Sequence, residues 1–230
     1  PEAVAGAKAF LGGPQYWAWL LSGGTASELT FLGAQSQLWD FTAPGWAPIV
    51  AARGWQRLLP PLVPAWRPVG RIRPALAARH GLPSDIDVLC GIHDSSANFY
   101  RFQEAGLTGL TLISTGTWIV GMSDAAPPEA GLAGGYVTRN MDVHGNALSG
   151  ILAMGGREFA TIAGDAPDGP AGAAEVAALV AAGTMALPSF VDQDGAFPGS
   201  AGKGRIEGAE PASRRALALL YVALLTDACL

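Results

Sequence analysis

The six residues Asp87-Val-Leu-Cys-Gly-Ile92 constrain this chain more than any other stretch. They make a short apolar run that passes directly into His93-Asp94-Ser95-Ser96, and then into a helical pattern reaching Gln103. A run of that length suits a strand buried on both faces, and such strands belong to sheets covered by helices. A carboxylate at the carboxyl end of a strand, just ahead of a helix, stands where open α/β sheets form their ligand crevice. Asp94 is therefore a candidate base, since a base must lie within hydrogen-bond reach of the proton it removes. The same residues have a plainer use, because Asp94, Ser95 or Ser96 can cap the following helix. On the local sequence both uses stay open.

Around this run, strands and helices alternate, which makes the class α/β. Pro14 to Leu21 reads as a helix closed by Ser22-Gly23-Gly24. Leu29 to Gly33 reads as a short strand, and Pro44-Gly45-Trp46 as a turn into a helix over 47–54. Pro60, Pro61, Pro64 and Pro68 make an extended connector. Pro74 to His80 is a helix ending at Gly81. Leu110 to Ser114 and Trp118 to Met122 are strands of a hairpin with Thr115-Gly116-Thr117 at its tip. A strand is expected over 135–140, a helix over 146–163 despite Gly155-Gly156, and a helix over 173–182. Met185 to Phe190 reads as a strand, 192–208 as a Gly-rich loop, and Ala212 to Leu230 as a helix.

Ser114-Thr115-Gly116-Thr117 is the second place where chemistry can sit. A Gly between hydroxyl residues can expose successive backbone N–H groups, a nest that holds phosphate oxygens. The plainer reading is a hairpin turn whose Gly supplies a positive φ. The loop from Asp194 to Gly204 is not a P-loop, because Gly204 stands where Ser or Thr is required after Gly202-Lys203. No G-x-S-x-G elbow occurs. His80 reads as a helix end and His144 as a turn residue. His93 and Asp94 are consecutive, so in extended backbone their side chains diverge, which speaks against a hydrolase triad.

Composition narrows the classes. With 14 Lys and Arg against 19 Asp and Glu, the net charge of −5 excludes the basic surface of a nucleic-acid binder. At 230 residues the chain is one large domain or one and a half smaller ones. Cys90 and Cys229 lie far apart in apolar runs and read as small buried hydrophobes. No metal-ligand spacing is present, and no apolar run reaches the length of a membrane span. The expectation is a soluble, cytoplasmic protein that binds neither nucleic acid nor membrane.

Taken in order, G-I-H-D-S-S-A over 91–97 and S-T-G-T over 114–117 resemble two motifs of the FGGY-type carbohydrate kinases. Pro14-Gln-Tyr-Trp-Ala-Trp-Leu-Leu-Ser-Gly23 is similar to that family's Q-Y-W/L…L-T-G segment, and Thr25-Ala-Ser-Glu-Leu-Thr30 to its T-x-A-S-x-T stretch. Pro68-Val-Gly70 resembles its entry to the central strand, and Phe197-Pro-Gly199 with Gly204-Arg205 its loop before a long helix. The resemblance implies a partial two-lobed α/β fold of the actin-like, ribonuclease H-like type. It implies phosphorylation of a sugar hydroxyl with ATP and Mg2+ between the lobes. By the same resemblance Asp94 is the general base, His93 contacts the sugar, and Thr115, Gly116 and Thr117 cradle nucleotide phosphates. Asp94 must then stay ionised beside a polyanion, and Ser95, Ser96 or a helix N-terminus is placed to hydrogen-bond it.

Residues 1–105 correspond to the later part of the first, sugar-binding lobe. Residues 106–230 correspond to the beginning of the second, nucleotide-binding lobe. The family's Asp-x-Gly-Thr strand and its adenine-binding Gly-rich segment have no counterpart in the sequence. With no initiating Met and an apolar helix ending at Ala228-Cys-Leu230, the expectation is an internal piece, inactive by itself. The implied substrate is a ketose or related polyol, with the His-Asp pairing favouring a deoxy-ketose such as rhamnulose or fuculose. A homodimer is compatible with this reading. The alternative is a catalytically inactive sugar- or nucleotide-binding protein of the same fold.

Overall fold

The computed structural model describes residues 2–125, 137–166, 169–193 and 195–228. Two compact units emerge: Pro1–Leu107 with Arg139–Leu148, and Thr108–Thr138 with Ser149–Leu230. Among the described residues no helix is long and apolar enough to cross a membrane.

The first unit begins with helices α1 (Glu2–Ala5), α2 (Gly13–Ser22) and α3 (Leu29–Ala34). Pro14 sits in the first turn of α2, where its missing N–H costs nothing, and Gly23 closes the helix at φ 89. Leu29 to Gly33 belongs to α3 and is not a strand. The cause is Glu28, whose side chain accepts the N–H groups of Thr30 and Phe31 and so caps the helix. That cap outweighs the strand preference of Thr and Phe.

Strands β1 (Trp39–Asp40) and β2 (Gly45–Trp46) pair as a short antiparallel hairpin ahead of α4 (Pro48–Ala52). Leu32, Leu38 and Val50 form a small core, packed against Phe10, Trp39, Trp55 and Leu59. A 3₁₀ turn (Trp55–Leu58) leads through the proline connector to β3 (Pro68–Arg71), α5 (Pro74–His80), β4 (Asp87–Leu89) and α6 (Asp94–Glu104).

The strand over 87–92 is shorter than its sequence suggests. Only Asp87–Leu89 pairs, antiparallel to β3, and Asp87 and Leu89 are exposed. Burial on both faces therefore fails here, because a two-stranded ribbon has no second layer to cover its outer side. Cys90, just beyond it, is fully buried. Burial pushes its thiol up to about 11, in keeping with a structural apolar role. Cys229 lies outside the described residues.

Next along the chain come β5 (Thr111–Thr115), β6 (Ile119–Ser123), β7 (Val137–Met141) and β8 (Ala147–Ala153). They form one sheet in the order β5-β6-β8-β7, antiparallel from β5 to β6 and from β6 to β8. Residues 139–148, most of β7 with the turn and the start of β8, group with the first unit, and β5, β6 and the rest of β8 with the second. Then follow α7 (Gly155–Ala163), α8 (Ala173–Ala181), the antiparallel pair β9 (Met185–Leu187) and β10 (Arg205–Glu207), and α9 (Arg214–Ala228).

Residues 146–163 are not one helix. The half before Met154 is strand β8, which aligns with β6 from Ser149 to Ala153. Only α7 is helical, and it starts at the Gly-Gly pair. The core of the second unit sets Ile119 of β6 and Ile162 of α7 against Ala216, Leu217, Tyr221 and Leu225 of α9.

Candidate functional site

The first site is built where the chain leaves the β3–β4 ribbon. Gln15, buried in α2, donates its amide to the carbonyls of Cys90 and Gly91 at 3.1 Å each. Gly91 turns the chain with φ 84, and a side chain there would collide with Pro14. Position 91 therefore requires glycine twice over, for its backbone and for its packing. The segment so held delivers His93 to the N-cap position of α6, with Asp94 as the first helical residue.

His93 is buried and held on several sides. Its backbone N–H donates to Thr30 Oγ1 at 3.3 Å. Its ring Nδ1 lies 3.1 Å from Ser96 Oγ, and its Nε2 lies 3.0 Å from the Gln35 amide. Thr30 in turn donates its hydroxyl to Glu28 at 2.7 Å. Burial raises the Glu28 pKa, against the opposing effect of the bonds from Thr30 and Phe31. Burial also lowers the His93 pKa, more than the neighbouring Asp94 charge raises it. His93 is thus a neutral imidazole with one N–H to place.

Asp94 differs from His93, Ser95 and Ser96 in being open to solvent, with 91% of its side chain exposed. Its Oδ1 accepts the Ser95 N–H at 2.7 Å and lies 3.2 Å from His93 Nε2. The expected divergence of His93 and Asp94 is thereby corrected. The chain bends from extended to helical between them, so both side chains come to one side. The capping reading does not hold: His93 is the N-cap residue and makes no side-chain cap bond, while Asp94, already inside the helix, accepts only the next N–H. Its second oxygen has no hydrogen bond to the protein among the described residues. Ser96 contacts His93, but it is buried and cannot receive a substrate, so the trio is no hydrolase triad.

The second site lies in the other unit. Thr115, Gly116 and Thr117 occupy the β5–β6 turn and are exposed. Gly116 donates its N–H to the Trp118 carbonyl at 2.9 Å. The turn reading required a positive φ at Gly116, and Gly116 does not adopt one. A side chain at Gly116 would also meet nothing closer than 3.9 Å. Neither a positive φ nor close packing calls for glycine there.

Sequence reasoning missed the partner of this turn. The Gly156 N–H, at the start of α7, donates to the Thr117 carbonyl at 3.2 Å. A Cβ at Gly156 would run into the Gly116 carbonyl oxygen and stand 2.9 Å from Thr117 Cα. The Gly155-Gly156 pair, which looked like a flaw within a helix, is what lets α7 start directly beneath the turn.

The other sequence candidates are quiet. His80 ends α5, and His144 lies in a turn organised by Asp142, whose Oδ1 accepts the N–H groups of His144 and Asn146. Lys203 donates to the Gly199 carbonyl at 2.6 Å, as a surface-loop residue would. Trp66 stacks on Tyr100 with centroids 5.9 Å apart and planes 21° from parallel, beside His144. Among the described residues no three His, Cys, Asp or Glu side chains gather to hold a metal ion between them. Magnesium asks for no such cluster, since it is held by one or two carboxylates beside water and phosphate oxygens.

With this geometry in hand, comparison with known proteins is informative. Residues 108–230 match the sequence model of the carbohydrate kinase FGGY, C-terminal domain. Over 118 residues the chain is 30% identical to L-fuculokinase of Salmonella typhi, an alignment covering 50% of this chain and 24% of that protein. A carbohydrate kinase from Novosphingobium aromaticivorans superposes with a TM-score of 0.75 at 35% identity, over 96% of this chain and 50% of that one. A xylulose kinase from Rhodospirillum rubrum shares the fold at TM-score 0.62 and 20% identity, over 96% of this chain and 46% of that one. The chain thus spans about half the length of the solved relatives it matches. Its α/β architecture is part of the actin-like fold of the sugar kinases. By the match to more than half its length, the chain belongs to the FGGY family of carbohydrate kinases.

Proposed function

We propose that the protein containing this chain transfers the γ-phosphoryl group of ATP to a sugar hydroxyl, with Asp94 as general base. The observation that carries this reading is the contrast between Asp94 and its surroundings: an exposed carboxylate anchored by buried, hydrogen-bonded neighbours. One oxygen is held by the Ser95 N–H at the positive end of α6, and the other is available to a substrate. A sugar hydroxyl donates its hydrogen bond to that oxygen and then its proton, as its oxygen forms the new bond to phosphorus. The bond from phosphorus to the ADP oxygen breaks in the same step. Little else is asked of the protein, since phosphoryl transfer depends mainly on positioning and charge stabilisation.

His93 contacts the sugar beside Asp94, as a neutral group whose ring cannot swing away. Thr115, Gly116 and Thr117 cradle the phosphates, the two threonines through their exposed hydroxyls and Gly116 by leaving the turn open to close approach. Residues 1–105 act as the later part of the sugar-binding lobe and 106–230 as the start of the nucleotide-binding lobe. Magnesium accompanies ATP and would neutralise phosphate charge when bound. The substrate is a ketose, and fuculose heads the panel because the Salmonella typhi relative is an L-fuculokinase. The test is sugar-dependent ADP release by the full-length protein with L-fuculose, L-rhamnulose, D-xylulose and glycerol. Turnover of one ketose supports the reading, and no turnover with any of them, despite ATP binding, rejects it.

A further inference from the structure

Gln35 closes α3, with its backbone N–H on the Phe31 carbonyl, so the helix end determines where its side chain starts. From there the amide reaches a residue 58 positions away, lying 3.0 Å from His93 Nε2. The same nitrogen lies 3.2 Å from Asp94 Oδ1. Two polar groups from separate parts of the chain therefore converge on one atom. Gln35 and Asp94 are exposed and His93 is buried behind them, so the trio has a closed back and an open front.

A single ring nitrogen cannot satisfy both groups. Burial keeps His93 neutral, with one N–H for the whole ring, and Nδ1 is already engaged with Ser96. The amide has two donors and an acceptor, and the carboxylate accepts several bonds. Most of that capacity faces outward. A polyol whose hydroxyl binds Asp94 places its next oxygen within reach of the Gln35 amide, because both groups flank the same nitrogen. An amide can donate to a carbonyl or hydroxyl and can also accept from a hydroxyl, so it suits either kind of oxygen on that carbon.

We infer that Gln35 determines sugar specificity: its amide hydrogen-bonds the oxygen on the carbon next to the hydroxyl that Asp94 deprotonates. This rests on the reading of Asp94 as the base. It selects against analogues lacking that oxygen, since a site built to pair a polar group rejects a ligand without it.

The test uses the full-length protein, the ketose it turns over best, and the analogue of that ketose lacking the oxygen on the adjacent carbon. Gln35→Ala and the near-isosteric Gln35→Leu are expected to lower kcat/KM for the parent ketose roughly tenfold, mainly through KM. Turnover of the analogue and KM for ATP should stay as in the wild type. Unchanged thermal melting of both variants shows that the helix end is intact. Equal losses on both sugars, or no loss on either, overturn the inference while leaving Asp94 untouched. Wild-type turnover by Asp94→Asn instead sinks the reading of the base, and the inference about Gln35 falls with it.

Discussion

The start of α6 and the β5–β6 turn both present exposed polar residues after a strand, yet they are made in opposite ways. At α6 the proposed working group is one carboxylate, and side chains from two stretches of sequence, α3 with its caps and α6, hold its neighbour His93. Thr30 holds the backbone, Gln35 and Ser96 the ring, and Glu28 anchors Thr30. At the turn there is no titratable side chain, only backbone and two threonine hydroxyls, and the support is an absence of side chains at Gly116 and Gly156. The contrast teaches what each place can do. A side-chain site can move a proton, because it holds a titratable group. A backbone site can only bind charge, but it does so without any group that must change its protonation.

Four substitutions in the full-length protein test that contrast. Asp94→Asn keeps the shape and removes the base, so kcat should fall by at least about a hundredfold. ATP affinity, followed by calorimetry, should be unchanged, because the proposed phosphate-binding turn, Thr115 to Thr117, lies in the other unit. Gly156→Val makes the opposite cut. Its Cβ displaces the Gly116–Thr117 backbone, so KM for ATP should rise roughly tenfold while KM for the sugar holds. A rise in sugar KM alone would reverse the assignment of the two sites.

A smaller effect is expected at the support of the first site. Thr30→Val keeps the volume but removes the hydroxyl between Glu28 and the His93 backbone, costing about 2 kcal/mol in urea unfolding. The smallest concerns pH. Burial lowers the His93 pKa below its ordinary 6.5, so the neutral ring contributes stability above pH 6.5 that is lost as pH falls through the folded value. His93→Gln should flatten the fall in urea midpoint below pH 6.5. An equally steep fall in the variant would assign the titration to another group.

How much of this was legible depended on distance along the chain. The β5–β6 hairpin, the Pro14 start and Gly23 stop of α2, and the Gly81 end of α5 follow from residues within one turn of each other. One error was local and the others came from longer range. Leu29 to Gly33 carries strand-forming residues, but the Glu28 carboxylate caps it into a helix, and Glu is not among the residues that usually signal a cap. The stretch 147–153 resembles a helix in composition and becomes a strand because β6 offers it an edge. The run 87–92 has the apolarity of a central strand, yet apolarity does not report how many strands lie alongside.

By itself the sequence determined the order of the motifs, the exposed hairpin turn, and the placing of His93-Asp94 between a strand and a helix. Each of these is a local matter, settled by backbone preferences that act over a few residues. Only the tertiary structure brought Gln35 to His93, buried the imidazole while leaving Asp94 open, and seated Gly156 beneath Gly116. Such contacts depend on which surfaces pack together. Packing is decided by the burial of many side chains at once, which no short run of residues records.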